Sequence, residues 1–412
     1  MHTNVAWSGA GSLAFAASQW VVVVAVAKIL GTEALGRYAL GLAIAAPVFA
    51  LTGMQLKAVL GTDVRAEFAF NDYLRTRIWF SCLGLGVIAA ATLAVESSAT
   101  RIVVLAVGAA KAVESLSDIA CGVFQKRRRM DRIARSLLYR AVLGAGAFAA
   151  AALLSGGIVA GIAAMGACWA GVLIAHDLPV ARALEGAARS SGGRVRHIVR
   201  RTWPMAAALA VGTLTAAAPR LLLQRCHGEA AVGIYSALFY GVTANLLIAT
   251  AVAQAAAPRI AQGFAGDSGF QPRLLATASL GAAGLGAVLL LGAACLGKPL
   301  LSAVYTPAFA EHYRTFVLLS AAGIPAGLAC ICDYALIAMR FGAGRIINNA
   351  AGALLATGAG LLLIPRLAVA GAALSYVVGA CSLCLGGLAC IASASCEQNR
   401  CTKPICHSIE TT

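Results

Sequence analysis

Acidic side chains are scarce in this sequence: 16 Asp and Glu stand among 412 residues, and charged residues of both signs reach only 12%. A water-soluble domain carries about 25%, so a soluble globular fold is excluded. The chain has no Gly-rich phosphate loop, no His-Glu-x-x-His helix and no Gly-x-Ser-x-Gly elbow, which weakens any reading as an enzyme. It also lacks the alternating segments of about ten residues that build a membrane β-barrel.

What is present is oil: 60% of the residues are hydrophobic, and the mean hydropathy is +0.83. Apolar runs of about 18 residues or more recur along the chain, each long enough to cross a ~30 Å hydrocarbon core as a helix. They are continuous and rich in Ala, Leu, Val and Gly, and the 44 glycines suit close helix packing in lipid. Twelve spans are predicted, near residues 7–27, 38–60, 78–95, 102–124, 137–154 and 159–178, then 204–223, 235–256, 275–296, 316–338, 347–363 and 369–392. The expected fold is an all-α polytopic membrane protein of about 12 transmembrane helices, in two parallel-repeat six-helix bundles around a central cavity. The expected divisions are 1–200 for the first bundle with its linker, 201–395 for the second, and 396–412 for a Cys-containing tail. The first run ends on Ala25-Val26-Ala27, which resembles a signal-peptidase site. No Lys or Arg precedes it and it is too long for a signal core, so it reads as a retained span.

The net charge of +16 comes from 32 Lys and Arg. Most fall in loops on one side, including Lys57, Arg77, Lys126 to Arg129, Arg140, Arg196, Arg200 and Arg345; the other side has Lys28, Arg37, Arg101, Arg220 and a few more. The positive-inside rule therefore puts both termini in the cytoplasm, and the charge reads as membrane orientation rather than a nucleic-acid footprint. Lys126 to Arg129 also suits contact with anionic headgroups.

An internal repeat supports the two halves. Gly31 to Leu40 reappears as Gly228 to Ala237 in a shared Gly-x4-Gly-x-Tyr frame, Val159 to Ala163 matches Val369 to Ala373, and Asp118 has a counterpart in Asp333. Six spans per half relates the halves by an axis along the membrane normal, an arrangement found in secondary transporters.

Ionisable residues inside spans are costly, at roughly 2.5–3.5 kcal/mol each near the bilayer centre, and mark functional candidates. Lys111, Glu114, Ser115, Asp118 and Gln125 share one stripe of the fourth span. One reading makes Lys111 and Glu114 a structural pair at i and i+3; the other makes the stripe a cavity wall, with Lys111 meeting a substrate anion and Glu114 or Asp118 taking up a coupling H+ or Na+. Arg220, after Pro219, either lines the cavity or snorkels to headgroups. Gln55 and Lys57 are further substrate-binding candidates, with Lys57 also readable as an interfacial anchor. Asp333 is open between gating and helix pairing. His176 and Asp177 are expected at a solvated helix end, and residues 62–77 as a short interfacial amphipathic helix. Most of the 13 cysteines sit inside spans as small apolar residues. Cys396, Cys401, Cys406 and His407 lack paired zinc spacing, leaving palmitoylation, a variable tail or metal open. No cofactor or metal is expected.

Taken together, Leu30-Gly31 through Leu40, Gln55-Leu56-Lys57, Lys111 through Asp118 to Gln125, Pro219-Arg220, Gly233 to Leu238, Pro258-Arg259 and Tyr305 to Ala310 resemble bacterial polysaccharide-biosynthesis proteins. These are the oligosaccharide flippases of the multidrug/oligosaccharidyl-lipid/polysaccharide exporter superfamily. The resemblance implies flipping of an undecaprenyl-pyrophosphate-linked oligosaccharide across the bacterial inner membrane by alternating access, for O-antigen, capsule or exopolysaccharide assembly. It also implies a cationic cavity onto which Lys111 and Arg220 map, and other glycan-assembly membrane proteins as partners. Relatives often carry Arg where this chain has Lys57, which removes a bidentate phosphate contact there. The alternatives are a multidrug or cation antiporter of the same superfamily, which favours an acidic cavity, and a glycan polymerase or ligase. The latter would use a large outer loop, whereas the longest here, Lys298 to Arg314, offers only Glu311 and His312.

Overall fold

The computed structural model describes residues 2–62, 68–185, 195–265, 272–339 and 341–401, the side chains of 2–6, 8, 62, 195, 201, 258, 263–265 and 396–401 excepted. Asp63, Arg65 and Glu67 of the expected amphipathic segment, and Cys406 and His407, lie outside the described residues, as do the side chains of Cys396 and Cys401. Every element is helical: α1 (His2–Ala25), α2 (Gly31–Thr52), α3 (Leu56–Thr62), α4 (Phe70–Thr92), α5 (Ser98–Lys126), α6 (Met130–Ser155), α7 (Ile158–Val172), α8 (Leu178–Glu185), α9 (Val195–Leu238), α10 (Tyr240–Ala265), α11 (Pro272–Val304), α12 (Pro307–Ala310), α13 (Tyr313–Ala338) and α14 (Gly342–Cys401). Single π-helical turns, Val26–Leu30 and Leu173–Asp177, join α1 to α2 and α7 to α8.

Eight helical runs are long and apolar enough to cross a membrane. Three of them, of 44, 61 and 54 residues, hold two crossings each. Their breaks fall at Gly31, Gly228 and Ala368, where φ is 88°, 79° and 48°. α5, charged along one face, falls outside that set; taken with it, the described residues hold about twelve crossings. The start of α1 and the end of α14 therefore lie on one side, the near face, opposite a far face.

The repeat read from the sequence meets itself in space. Gly31 (φ 88°, ψ −178°) and Gly228 (φ 79°, ψ −173°) adopt matching conformations open to glycine. Just beyond them α2 and the last part of α9 cross so closely that a Cβ on Gly36 would lie 1.8 Å from the Glu229 carbonyl oxygen. A Cβ on Gly233 would lie 2.1 Å from that of Thr32. The contact is reciprocal, as a two-fold axis between the halves requires, and small residues permit it.

Apolar packing differs between the two faces. Toward the far face one cluster unites the halves, with Leu35, Tyr38, Val104 and Trp169 from the first and Val232, Phe239, Phe309 and Tyr376 from the second. Toward the near face the packing forms two smaller clusters. Leu56, Leu60, Tyr73 and Phe124 form one cluster with Ile198 and Ala206 of α9, while Ala253, Ile260, Ile331 and Leu336 form another within the second half. Polar links between the halves reinforce the far-face closure. Arg37 Nε donates to Glu229 Oε2 at 2.5 Å, Thr100 donates to the same carboxylate, Lys28 Nζ to the Ala303 carbonyl at 2.9 Å and Trp20 Nε1 to Tyr305 Oη at 3.1 Å.

Two expectations are corrected here. Residues 70–77 are the first turns of a span, not an interfacial helix, and Asp72 and Arg77 are buried there. Asp177 is 0% exposed instead of solvated. Its two oxygens accept from Ser136 Oγ at 3.0 Å and meet His176 Nδ1 at 2.9 Å, because α6 packs over the end of α7.

Candidate functional site

α5 is flanked by α2, α3, α4 and α7, and it gathers most of the candidate charges. Lys111 Nζ lies 2.6 Å from Glu114 Oε2, with 30% and 18% of the two side chains open. The i, i+3 pair of the sequence reading is thus formed, and it still presents polar surface. One turn on, Asp118 meets Lys57 of α3 at 3.4 Å, both side chains remaining partly open at 34% and 41%. Lys57 is therefore paired across helices rather than acting only as a surface anchor.

Lys57 reaches that position through a break. At Gly53 to Gln55 the second crossing leaves helical geometry, and Met54 and Gln55 both take positive φ, 49° and 50°. Two consecutive non-glycine residues there carry strain of about 1–3 kcal/mol each, of the kind held at functional sites. Arg77 secures the break: its Nη1 donates to the Gly53 carbonyl at 2.7 Å and its Nε to the Ser115 carbonyl at 2.8 Å. A fork of fixed geometry bridges two backbone acceptors that the lipid interior cannot hydrate. Gln55 sits on this strained turn.

Arg220 lies at the seam between the halves. It lines a cavity of about 300 Å³ with Tyr38, Leu42, Ala43, Thr213, Phe239 and Thr243, contributed by both halves. Its Nη1 donates to the Ala216 carbonyl at 2.7 Å and its Nε to Ser236 Oγ at 3.3 Å, and its charge sits over the Phe239 ring at 4.3 Å and the Tyr235 ring at 5.5 Å. Among the described residues none of these partners carries a negative charge. The rings offset the cost of burying the cation and leave its charge available to an anion.

Asp333 lies elsewhere, within the second half. Both its oxygens engage Arg345, Nε with Oδ1 and Nη2 with Oδ2 at 2.9 Å. The sequence correspondence of Asp118 with Asp333 does not extend to their partners, one a lysine of the second crossing and the other an arginine of the eleventh.

Three residues that sequence reasoning counted as orientation cations are interior: Arg77 is 6% exposed, Arg345 7% and Arg140 1%. Arg140 lies ten residues into α6, about 15 Å along the helix at 1.5 Å per residue. The signal for it in the sequence is its place inside the 137–154 span and not in the loop before it.

The family described as polysaccharide biosynthesis protein matches residues 1–264. Capsular polysaccharide biosynthesis protein CapF of Staphylococcus aureus is 21% identical over 263 residues, 63% of this chain, and the match spans 66% of that relative's length. Among solved structures, a mutant of the Vibrio cholerae MATE transporter VcmN aligns with TM-score 0.70 at 12% identity, covering 98% of this chain and 97% of its own. Lipid II flippase MurJ in an inward closed conformation aligns with TM-score 0.66 at 10% identity, covering 95% and 90%. At such identities the likeness is one of fold: a polytopic bundle of two helical halves.

Proposed function

The chain belongs to the polysaccharide biosynthesis protein family, and from that premise we propose that it flips an undecaprenyl-pyrophosphate-linked oligosaccharide from the cytoplasmic to the periplasmic leaflet of a bacterial inner membrane. The halves alternate access, with the cation-rich near face cytoplasmic. The observation that carries the reading is Arg220, a cation on a cavity shared by both halves with no carboxylate among its partners. Sugars and phosphates cannot enter hydrocarbon without losing hydration; in a cavity lined mostly by apolar side chains, Arg220, Thr213, Ser236 and Thr243 are groups that take the place of that water. A seam closed by one large shared cluster at the far face, with two smaller clusters at the near face, one of them reaching across to the start of α9, suits loading from the leaflet on which the near face opens.

Lys111 and Lys57 extend the cationic path toward the near face. Glu114 and Asp118, each paired to one of these lysines, are the groups through which H+ or Na+ uptake would bias the two arrangements. Asp333 is assigned to helix pairing before coupling, given its bidentate hold on Arg345.

The test deletes the gene and measures lipid-linked glycan on the inner leaflet, then restores the wild type, Lys111→Ala or Arg220→Ala. Accumulation is expected in the deletion and partial accumulation with Arg220→Ala at normal membrane levels. Losing a charge-assisted hydrogen bond of about 1.5–3 kcal/mol weakens anion binding roughly 10- to 150-fold. A deletion that impairs cationic dye export and leaves glycans unchanged would establish the antiporter instead.

A further inference from the structure

Arg140, 1% exposed, is among the most deeply buried charges of the first half, and its donors go unused. Its Nε, Nη1 and Nη2 have no hydrogen-bond partner among the described residues. The Phe15 ring faces it, with 5.3 Å from Cζ to the ring centroid. α6 packs against α5, which carries Glu114 and Asp118, and Ser136, one turn before Arg140 on α6, donates to Asp177, so these three carboxylates stand on the elements around the guanidinium. A guanidinium with five unused donors is a costly thing to hold in a lipid-embedded bundle, so some arrangement of the molecule must satisfy it.

The three carboxylates differ in availability. Asp177 is held at both oxygens by Ser136 and His176, and Glu114 by Lys111 at 2.6 Å. Asp118 is the loosely held one: its partner Lys57 stands at 3.4 Å, and both side chains are partly open. The two cations also differ in kind. Lys57 is a point charge on a flexible stem, mounted just past a strained break, whereas arginine presents a planar fork matched to a carboxylate.

We propose that Arg140 is a positioning residue that takes over Asp118 when Lys57 turns to a phosphate group of the substrate. The lysine then alternates between a carboxylate and a phosphate, and Asp118 is never left as an unpaired buried charge. The inference rests on the anionic-substrate reading above and adds to it a reason for the empty guanidinium. Without Arg140, Lys57 is bound to Asp118 alone and released less readily.

The experiment acetylates the full-length protein in nanodiscs with an amine-reactive reagent and follows Lys57 by mass spectrometry, with exposed Lys298 as internal reference. Arg140→Gln and Arg140→Met are expected to slow Lys57 acetylation at least fivefold relative to Lys298. Arg140→Lys, which keeps the charge and abandons the planar packing on Phe15, is expected to stay within twofold of wild type. Adding Asp118→Asn to either slow variant restores the rate. Unchanged acetylation in both neutral variants, or slowing that Asp118→Asn does not relieve, overturns the exchange; Arg140→Met, apolar and of similar length, keeps the comparison in hand if Arg140→Gln does not fold. Inorganic pyrophosphate is expected to protect Lys57 in the wild type. Absence of that protection overturns the anionic-substrate reading itself, an outcome separate from the substitution series.

Discussion

Placing a methyl group at the crossing of Gly36 and Gly233 should open the far face. With Gly36→Ala, the new Cβ meets the Glu229 carbonyl oxygen at 1.8 Å, and the helices must part by about 1.2 Å to reach even a 3.0 Å contact. The atom encountered is backbone, so no side-chain rotation relieves it. Overpacking of this kind costs about 1–3 kcal/mol, and the far-face-closed state bears the cost, since only there do α2 and α9 touch so closely. Relative to a far-face-open arrangement the equilibrium moves about 5- to 150-fold. Because the contact is reciprocal, Gly233→Ala, whose Cβ meets Thr32 at 2.1 Å, should shift it by a similar factor. Spin labels at Glu96 and Glu311, exposed on far-face loops of opposite halves, with native cysteines replaced, report the change as a longer distance distribution. Unaltered distances in both variants, or a change in one alone, would refute the reasoning, since pseudo-symmetry leaves no room for a one-sided effect.

Two further outcomes follow from the buried arginines. Arg77→Met should lower the midpoint of thermal unfolding, followed by size exclusion, because the Gly53 and Ser115 carbonyls lose their donor at about 1–3 kcal/mol each; Arg77→Lys should recover only part. Asp333→Asn should destabilise the second half by somewhat less than the about 3–5 kcal/mol of a fully buried pair, since 31% of the Asp333 side chain is open. The double change Asp333→Leu with Arg345→Met should regain most of that stability, and glycan export by this double variant tells helix pairing from coupling.

Hydropathy alone sufficed for the class of the molecule. Runs of Ala, Leu and Val that no water can solvate must become helices in lipid, and their number and cation bias followed from counting. The repeat was legible because Gly31 and Gly228 do a backbone job that few other residues can do, and so leave a mark in the letters themselves.

Pairings were decided only by the tertiary structure. Lys57 with Asp118, Arg77 with two carbonyls and Arg345 with Asp333 join residues from different crossings, and linear spacing carries no record of which helices adjoin. Arg140 and Asp177 show the same limit. Each stands near a span end in a one-dimensional plot, where an arginine or aspartate is ordinarily wet, and each is sealed in by neighbouring helices that the plot does not contain. Composition fixes what the solvent does to a chain, residue by residue; the environment of a charge depends on what packs around it, and that is a property of the assembled bundle.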